Sequence, residues 1–296
     1  MLVHGIYYVA KMALLRNRVF NIPVSLSFGT FIKHIGRASN LKPTVITRRS
    51  ASTKSSSIVN ASHYDTLNPL QKQQVQLYVD ALLDWNQKMN LTAVREASDV
   101  MDRHVEDSLA IIPPIQSSYI SHCESSFENL NLVDVGSGAG LPGLILAIAC
   151  PGWQVTLLES LNKRCVFLEY AVGLIGLSNV KVIRGRAEDV GQNQEFREVF
   201  DVTVARAVAE MRILAEYCLP LVRVGGLFVA AKGHAPEEEV ERAKRAISLM
   251  GASLLQTCYV NSHSPYGQRT AIICLKNGST PKKYPREPGT PAKSPL

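Results

Sequence analysis

Ten consecutive residues constrain this chain more than any others. Residues 134–143 read DVGSGAGLPG, and Gly136, Gly138, Gly140 and Gly143 follow directly on the apolar pair Leu132 and Val133. Omitting Cβ atoms lets a backbone take positive φ and lets a ligand come close to the main chain, at an entropic cost that suits the point where a buried strand turns into a helix. The stretch therefore predicts strand, ligand-cradling turn and helix, the opening unit of a parallel sheet.

The residues downstream repeat that alternation. Short apolar runs at 131–135, 154–159, 180–185, 200–206 and 226–232 read as strands, separated by helical segments at 142–150, 161–174, about 208–222 and 236–250. Two further runs, SLLQTCYV and RTAIICLKN, joined by the polar NSHSPYGQ, read as an antiparallel pair. Residues 116–277 are thus expected to form a doubly wound, mostly parallel, seven-stranded Rossmann-like α/β sheet of the methyltransferase type. Residues 61–115 read as an N-terminal helical extension. Its first helix opens at Asn68 as cap and Pro69 as first helical residue, with Val75, Tyr78, Leu82, Trp85 and Met89 on one stripe. A second helix at 98–112 should end at Pro113 and Pro114, leaving 117–129 as loop.

Charge is needed only to decide whether a basic pI means nucleic acid. The formal charge of +7 divides into +9 over residues 1–60, which hold no acid, −6 over 61–275, and +4 over 276–296. The basicity belongs to the ends, so it says nothing about RNA binding by the body. The acid-free leader, with its run RRSASTKSSS, has the composition of an organellar transit peptide, chloroplast before mitochondrion. Residues 278–296, rich in Pro, Lys and Ser, read as a disordered basic tail. No apolar run is long enough to span a bilayer, so no membrane partner is expected. The six cysteines show no metal-ligand spacing and read as reduced core thiols, with no metal.

The ligand is less determined than the fold. Gly138, Gly140 and Gly143 spell the dinucleotide fingerprint, but counting from the strand-proximal Gly136 puts Leu141 where the third glycine belongs. Glu159 ends the second strand and can accept ribose hydroxyls, which suits a nicotinamide or S-adenosyl-L-methionine alike. The backbone of Ala187 and the side chain of Glu188, in GRAEDV after strand three, fit an adenine edge, with Leu141 over its face. Arg186, Arg206 and Lys232 end strands three, four and five on one edge of the sheet, where they would face an anion. After strand four stands ARAVAE, not the Pro-Pro-aromatic tetrapeptide of amine methylation, and no cysteine is placed as a nucleophile. Guanine N7 carries a lone pair that needs no deprotonation, so its methylation would rely on alignment and electrostatics alone. A methyltransferase acting on something other than RNA, a nicotinamide oxidoreductase and a non-enzymatic ribosome-assembly factor stand as alternatives.

WNQKMNLTA at 85–93, RHVEDSL at 103–109, DVGSGAGLPG, LLESLNKRCVFLE at 157–169, GRAED and ARAVAE occur in that order. With them, residues 64–277 resemble the bacterial ribosomal small-subunit methyltransferase G family, also called glucose-inhibited division protein B. The resemblance implies N7 methylation of one guanine in the 530 loop of 16S-type rRNA. The donor would be S-adenosyl-L-methionine, and the partner small-subunit rRNA or the assembling subunit, met by a monomer. It places Gly136, Leu141, Ala187, Glu188 and Arg206 at cofactor-binding positions, with Gly138 and Gly140 in the same loop and Glu159 facing ribose. It places Asn90, His104, Arg186 and Arg269 on the catalytic and RNA-facing surface, with Arg206 shared between the two. The leader, the SHCESSFEN segment and the basic tail depart from the bacterial pattern, and the leader implies organellar rRNA as substrate.

Overall fold

A computed structural model describes residues 62–123, 126–260 and 269–296. The expected transit peptide and the polar connection NSHSPYGQ lie outside the described residues. After a 3-10 turn (His63–Thr66), α1 (Pro69–Met89) begins as the sequence indicates. The Asn68 side chain accepts from Gln71 N and the Gln71 side chain accepts from Asn68 N, a reciprocal cap that satisfies two otherwise orphaned donors. Val75, Tyr78 and Leu82 of the stripe are fully buried, and Trp85 stacks between Phe167 and Tyr170 at centroid distances of 5.5 and 5.1 Å.

Helix α2 (Ala97–Val100) runs through a π-helical turn (Met101–Val105) into α3 (Glu106–Leu109). Here one expectation fails. Pro113 and Pro114 do not end a helix; they lie in the first turn of α4 (Ile112–His122), which occupies half of the expected loop. A proline is harmless there because first-turn N–H groups have no intrahelical acceptor.

The sheet comprises β1 (Asn131–Val135), β2 (Gln154–Glu159), β3 (Val180–Arg184), β4 (Phe200–Arg206), β5 (Val222–Lys232), β6 (Ala252–Val260) and β7 (Arg269–Lys276). Its order is β3-β2-β1-β4-β5-β7-β6, with β1 to β5 parallel and β7 antiparallel between β5 and β6. The connecting helices are α5 (Gly143–Ala149), α6 (Asn162–Ile175), α7 (Ala187–Gln192), α8 (Met211–Cys218) and α9 (Glu237–Leu249). The expected seven-stranded doubly wound sheet is therefore present.

Strand alternation sends successive side chains to two cores. Leu132, Val155, Val202, Val204 and Val229 join α1, α4, α5 and α6 on one face. Val133, Leu158, Ala205, Phe228 and Ile272 join α7, α8 and α9 on the other. The helical extension has no core of its own; it shares the first one with the sheet. The direction of winding reverses between β1 and β4, so a crevice opens outside their carboxyl ends, the position at which open α/β sheets bind ligands.

The tail also departs from expectation. Residues 277–296 are not a disordered basic segment but pack on α7 and α8, ending in α10 (Thr290–Lys293). Tyr284 is buried and Arg286 makes a forked ion pair with Glu216, whose side chain is fully buried. The composition suggested solvation, but the Arg286 charge and the Gly289 N–H serve carboxylates that the body has already buried. A carboxylate in an apolar interior is held only when paired and hydrogen-bonded.

Candidate active site

The glycine loop leaves β1 at Gly136 and is tied from both sides. Gly136 N and Ser137 N donate to the Leu158 carbonyl at 2.8 and 3.1 Å, and Gly138 N donates to Glu159 Oε2 at 3.0 Å. Glu159 is buried; its other oxygen accepts from Leu161 N at 2.8 Å, and Arg164 stands 3.6 Å away. The ribose-facing acid of the sequence is thus first a support for the loop itself. From the helical extension, the buried Tyr78 hydroxyl donates to the Ala139 carbonyl at 2.8 Å.

Two glycines show what the absent Cβ atoms permit. Gly138 has φ +58, a conformation side chains resist, and a Cβ there would meet little, so the demand is conformational. At Gly143 the demand is space: a Cβ would stand 2.4 Å from Leu157 and 2.8 Å from the Asp134 carboxylate. Gly143 therefore does the close helix-to-strand packing of a third fingerprint glycine, and the position of Leu141 does not by itself distinguish a dinucleotide from S-adenosyl-L-methionine. Leu141 itself is buried and lines the cavity described next.

Asp134, which the sequence reading passed over, anchors this packing. Its Oδ2 accepts from Gly143 N at 2.9 Å, while Oδ1 is buried without a hydrogen-bond partner among the described residues. Burial pushes its pKa up to about 7, against the lowering effects of the Gly143 bond and Arg206. Its signal in the sequence was an acid inside an otherwise apolar strand, directly ahead of the glycines.

A cavity of about 400 Å³ opens where the winding reverses. The loop from Gly136 to Ala139 forms one wall; Arg206 and Ala207 at the end of β4, and Ala231 to Gly233 at the end of β5, form the next. Leu91, Thr92, Arg103, His104 and Asp107 of the helical extension close it, with Arg269 and Thr270 of β7. The π-helical turn that carries Arg103 and His104 widens the helix at this point, a distortion common at functional sites.

Arg206 is the distinctive group. It is half-buried, its guanidinium donates to the Arg103 carbonyl at 3.4 Å, and it forms no ion pair among the described residues. Burial pulls its pKa down; Tyr78, Asp107 and Asp134 favour the charged form from a distance. Arg269 is also in the cavity but is paired with Asp107 at 2.8 Å. Lys232 lines the cavity as well, yet its ammonium is held by Glu239 at 2.6 Å and the Ala209 carbonyl at 2.7 Å. Glu239 belongs to the EEE triplet at the start of α9 and also accepts from Met211 N.

His104 sits between two partners. Its Nδ1 lies 3.1 Å from the Arg103 carbonyl and must donate there, so Nε2 accepts from the Thr92 hydroxyl at 2.8 Å. Burial and then the Arg206 charge bring its pKa down to about 4. The imidazole is neutral near pH 7, and its acceptor nitrogen is already engaged.

The remaining expected site residues fall outside the cavity lining. Asn90 is exposed and caps α1 in the left-handed region (φ 50, ψ 53), where asparagine is tolerated, and so turns the chain toward Leu91 and Thr92. The buried Asn86 secures the same turn by accepting from Thr92 N and donating to the Val94 carbonyl. Arg186 is exposed at the cap of α7. Ala187 and Glu188 are buried in the first turn of α7, where Gly289 N donates to Glu188 Oε1 at 2.8 Å.

The residues present fit S-adenosyl-L-methionine. A cavity at the winding reversal, a loop with room at Gly138 and a cation without an ion-pair partner among the described residues suit a ligand that carries a carboxylate and a nucleoside.

Comparison with known proteins agrees. Ribosomal RNA small subunit methyltransferase G of Alkaliphilus metalliredigens is 42% identical over 226 residues, covering 76% of this chain and 91% of that protein. The protein of the same name from Staphylococcus aureus is 43% identical over 234 residues, covering 79% and 94%. Among solved structures, an Aeropyrum pernix fibrillarin with natively bound S-adenosyl-L-methionine covers 55% of this chain and 74% of its own at 13% identity and a TM-score of 0.42, too distant to bear on ligand or reaction. The family model described as rRNA small subunit methyltransferase G matches residues 71–267, and with these relatives it shows that the chain belongs to that family.

Proposed function

We propose that this protein is an S-adenosyl-L-methionine-dependent methyltransferase that forms N7-methylguanosine in the 530 loop of small-subunit, 16S-type rRNA in an organelle, the chloroplast before the mitochondrion. The observation that carries the reading is Arg206, a half-buried cation beside the glycine loop that forms no ion pair among the described residues. Family membership supports the rRNA substrate, and the acid-free leader of nine basic residues supports the organelle.

When bound, S-adenosyl-L-methionine supplies a methyl group on a sulfonium, electrophilic enough for a neutral ring nitrogen to attack. The chain's own contribution is binding and alignment. The loop from Gly136 to Leu141 offers backbone and an apolar face, with Gly140 completing its turn, and Glu159 fixes that loop through Gly138 N. Ala187 and Glu188 stand after β3 for the adenine, and Arg206 meets the carboxylate or a phosphate. Guanine N7 presents its lone pair without losing a proton, so no general base is required. His104 fits that demand: with Nε2 engaged by Thr92 it is a neutral wall, not a proton acceptor. The exposed Arg186 at the cap of α7 offers charge to RNA phosphates, and Arg269 lines the cavity with its guanidinium held by Asp107. Lys232, already paired, contributes shape more than charge.

The test is to incubate the purified full chain with small-subunit rRNA, free or assembled, and labelled S-adenosyl-L-methionine, then locate the methyl by mass spectrometry of nucleosides and mapping of the site. One N7-methylguanosine is expected, absent from the organelle's rRNA when the gene is lost. Label on a different atom, on protein, or on no acceptor would overturn the reading.

A further inference from the structure

The tail that the sequence suggested was solvated meets the body at an informative place. Hydrogen bonds and one short stretch of chain link the glycine loop to the tail along the carboxyl edge of the sheet. Gly138 N donates to the Glu159 side chain, Gly185 N donates to the Glu159 carbonyl at 3.0 Å, and three residues on, Glu188 accepts from Gly289 N at 2.8 Å. The Tyr217 hydroxyl also hydrogen-bonds Glu188, and burial together with that carboxylate pushes its pKa up to about 12.

The far end of α7 is gripped by the same segment. Gln192 donates to the Pro285 carbonyl at 2.7 Å, and the Arg197 guanidinium joins the carbonyls of Gly191 and Tyr284, each at 2.8 Å. Arg286 then locks the segment to the fully buried Glu216 of α8 through Nε and Nη2, with its own N–H as a third donor at 2.8 Å. The tail touches both ends of a six-residue helix too short to hold its place by its own hydrogen bonds.

We propose that residues 284–293 are a positioning strap for the cofactor site: by donating from Gly289 N to Glu188, the strap holds the wall that the third strand and α7 present to the nucleoside. The proposal rests on the S-adenosyl-L-methionine reading above. A buried carboxylate needs donors, and among the described residues Gly289 N reaches Glu188 from outside the sheet and its connecting helices. With the strap displaced, Glu188 turns to solvent and the α7 turn goes with it. Gly289 can place its N–H there because it sits at φ +83, and a Cβ on it would meet nothing within 4 Å.

That geometry supplies a mild variant. Gly289→Ala clashes with nothing and penalises only the left-handed conformation that aims the N–H at Glu188. In the full chain, Gly289→Ala should raise the Kd and KM for S-adenosyl-L-methionine about fivefold, the scale set by left-handed strain on a residue with a Cβ. Adenosine affinity should fall by the same factor, and kcat at saturating donor should stay within about twofold, because the reacting end is untouched. Binding couples in both directions, so adding S-adenosyl-L-methionine to the unaltered chain should slow hydrogen exchange at residues 286–293. A folded Gly289→Ala protein with wild-type donor affinity would overturn the strap and leave the cofactor reading standing. Should that variant not fold, exchange in the unaltered chain decides: no added protection of 286–293 in a donor-saturated protein overturns it. An unaltered chain that binds neither S-adenosyl-L-methionine nor adenosine overturns both.

Discussion

Arg206 and Lys232 end neighbouring parallel strands on the same edge of the sheet, Arg206 pairing in register with Ala231, one residue before Lys232. Position and charge make them equivalent, and both line the same cavity. The difference lies in what the rest of the chain does for them. The first turn of α9 brings Glu239 to 2.6 Å from Lys232, whereas among the described residues no acid forms an ion pair with Arg206. A cation at a strand end is therefore not free for a ligand by position alone; what matters is whether an acid of the fold already holds it. Desolvating an unpaired guanidinium is costly, and that cost is recovered only when a ligand brings an anion.

The sharpest way to break this comparison is to remove each cation in turn. Arg206→Ala should cut methyl transfer to small-subunit rRNA by about a hundredfold or more, the scale for losing a preorganised charge at a reacting site. Its thermal midpoint should change little, since the variant removes a half-buried guanidinium that forms no ion pair among the described residues. Lys232→Met should cost activity only a few-fold. Equal losses in the two variants, measured with donor and RNA at saturation, would erase the distinction.

Next in size is the contact between the two ends of the first core. Tyr78→Phe keeps the ring in its buried place but leaves the Ala139 carbonyl without its donor, an expected cost of about 1–3 kcal/mol by denaturant titration. Because that carbonyl belongs to the glycine loop, donor KM should rise with little change in kcat. A stability loss with donor KM unmoved would mean that the helical extension supports the fold but not the loop.

A smaller effect is expected on the paired side. Glu239→Gln leaves Lys232 with the Ala209 carbonyl and Met211 N with an amide acceptor, so stability should fall by about 1 kcal/mol or less for a pair that keeps some solvent contact. If this variant instead binds rRNA measurably more tightly at low salt, the freed lysine has become a second Arg206. That result would sharpen the argument that pairing, and not place, decides which cation acts.

What could be read from the sequence follows the range of the forces involved. The sheet was legible because strand and helix periodicity is local: the runs at 131–135, 154–159 and 200–206 match the observed strands to the residue. The glycine loop and Arg206 were legible because the sheet's carboxyl edge follows from strand direction. Partnership across the fold was not legible. Nothing near Lys232 in the chain announces Glu239 as its partner in place of solvent, and nothing near Glu188 announces Gly289, a hundred and one residues on. The tail was misread for the same reason, since its lysines and prolines look solvated until Glu216 and Glu188 are seen buried and waiting for donors. The π-helical turn at Met101–Val105 has no compositional signal, yet it brings Arg103 and His104 to the cavity.

His104 gives the smallest and most diagnostic effect, because its geometry makes a statement about pH. Its pKa in the folded chain is about 4 against 6.5 for the free side chain, so between those values the unfolded chain binds the extra proton. Stability linked to His104 is therefore fully present above pH 6.5 and is lost as the pH falls toward 4. His104→Gln should flatten that part of a plot of thermal midpoint against pH, and the difference between the two proteins should close as the pH approaches 4. The rate should show no histidine limb near pH 6.5, since the ring is neutral on both sides of it and Nε2 is held by Thr92. A rate that halves near pH 6.5 in the wild-type chain and not in His104→Gln would instead make this imidazole a working base. The cavity would then do more than align two reactants.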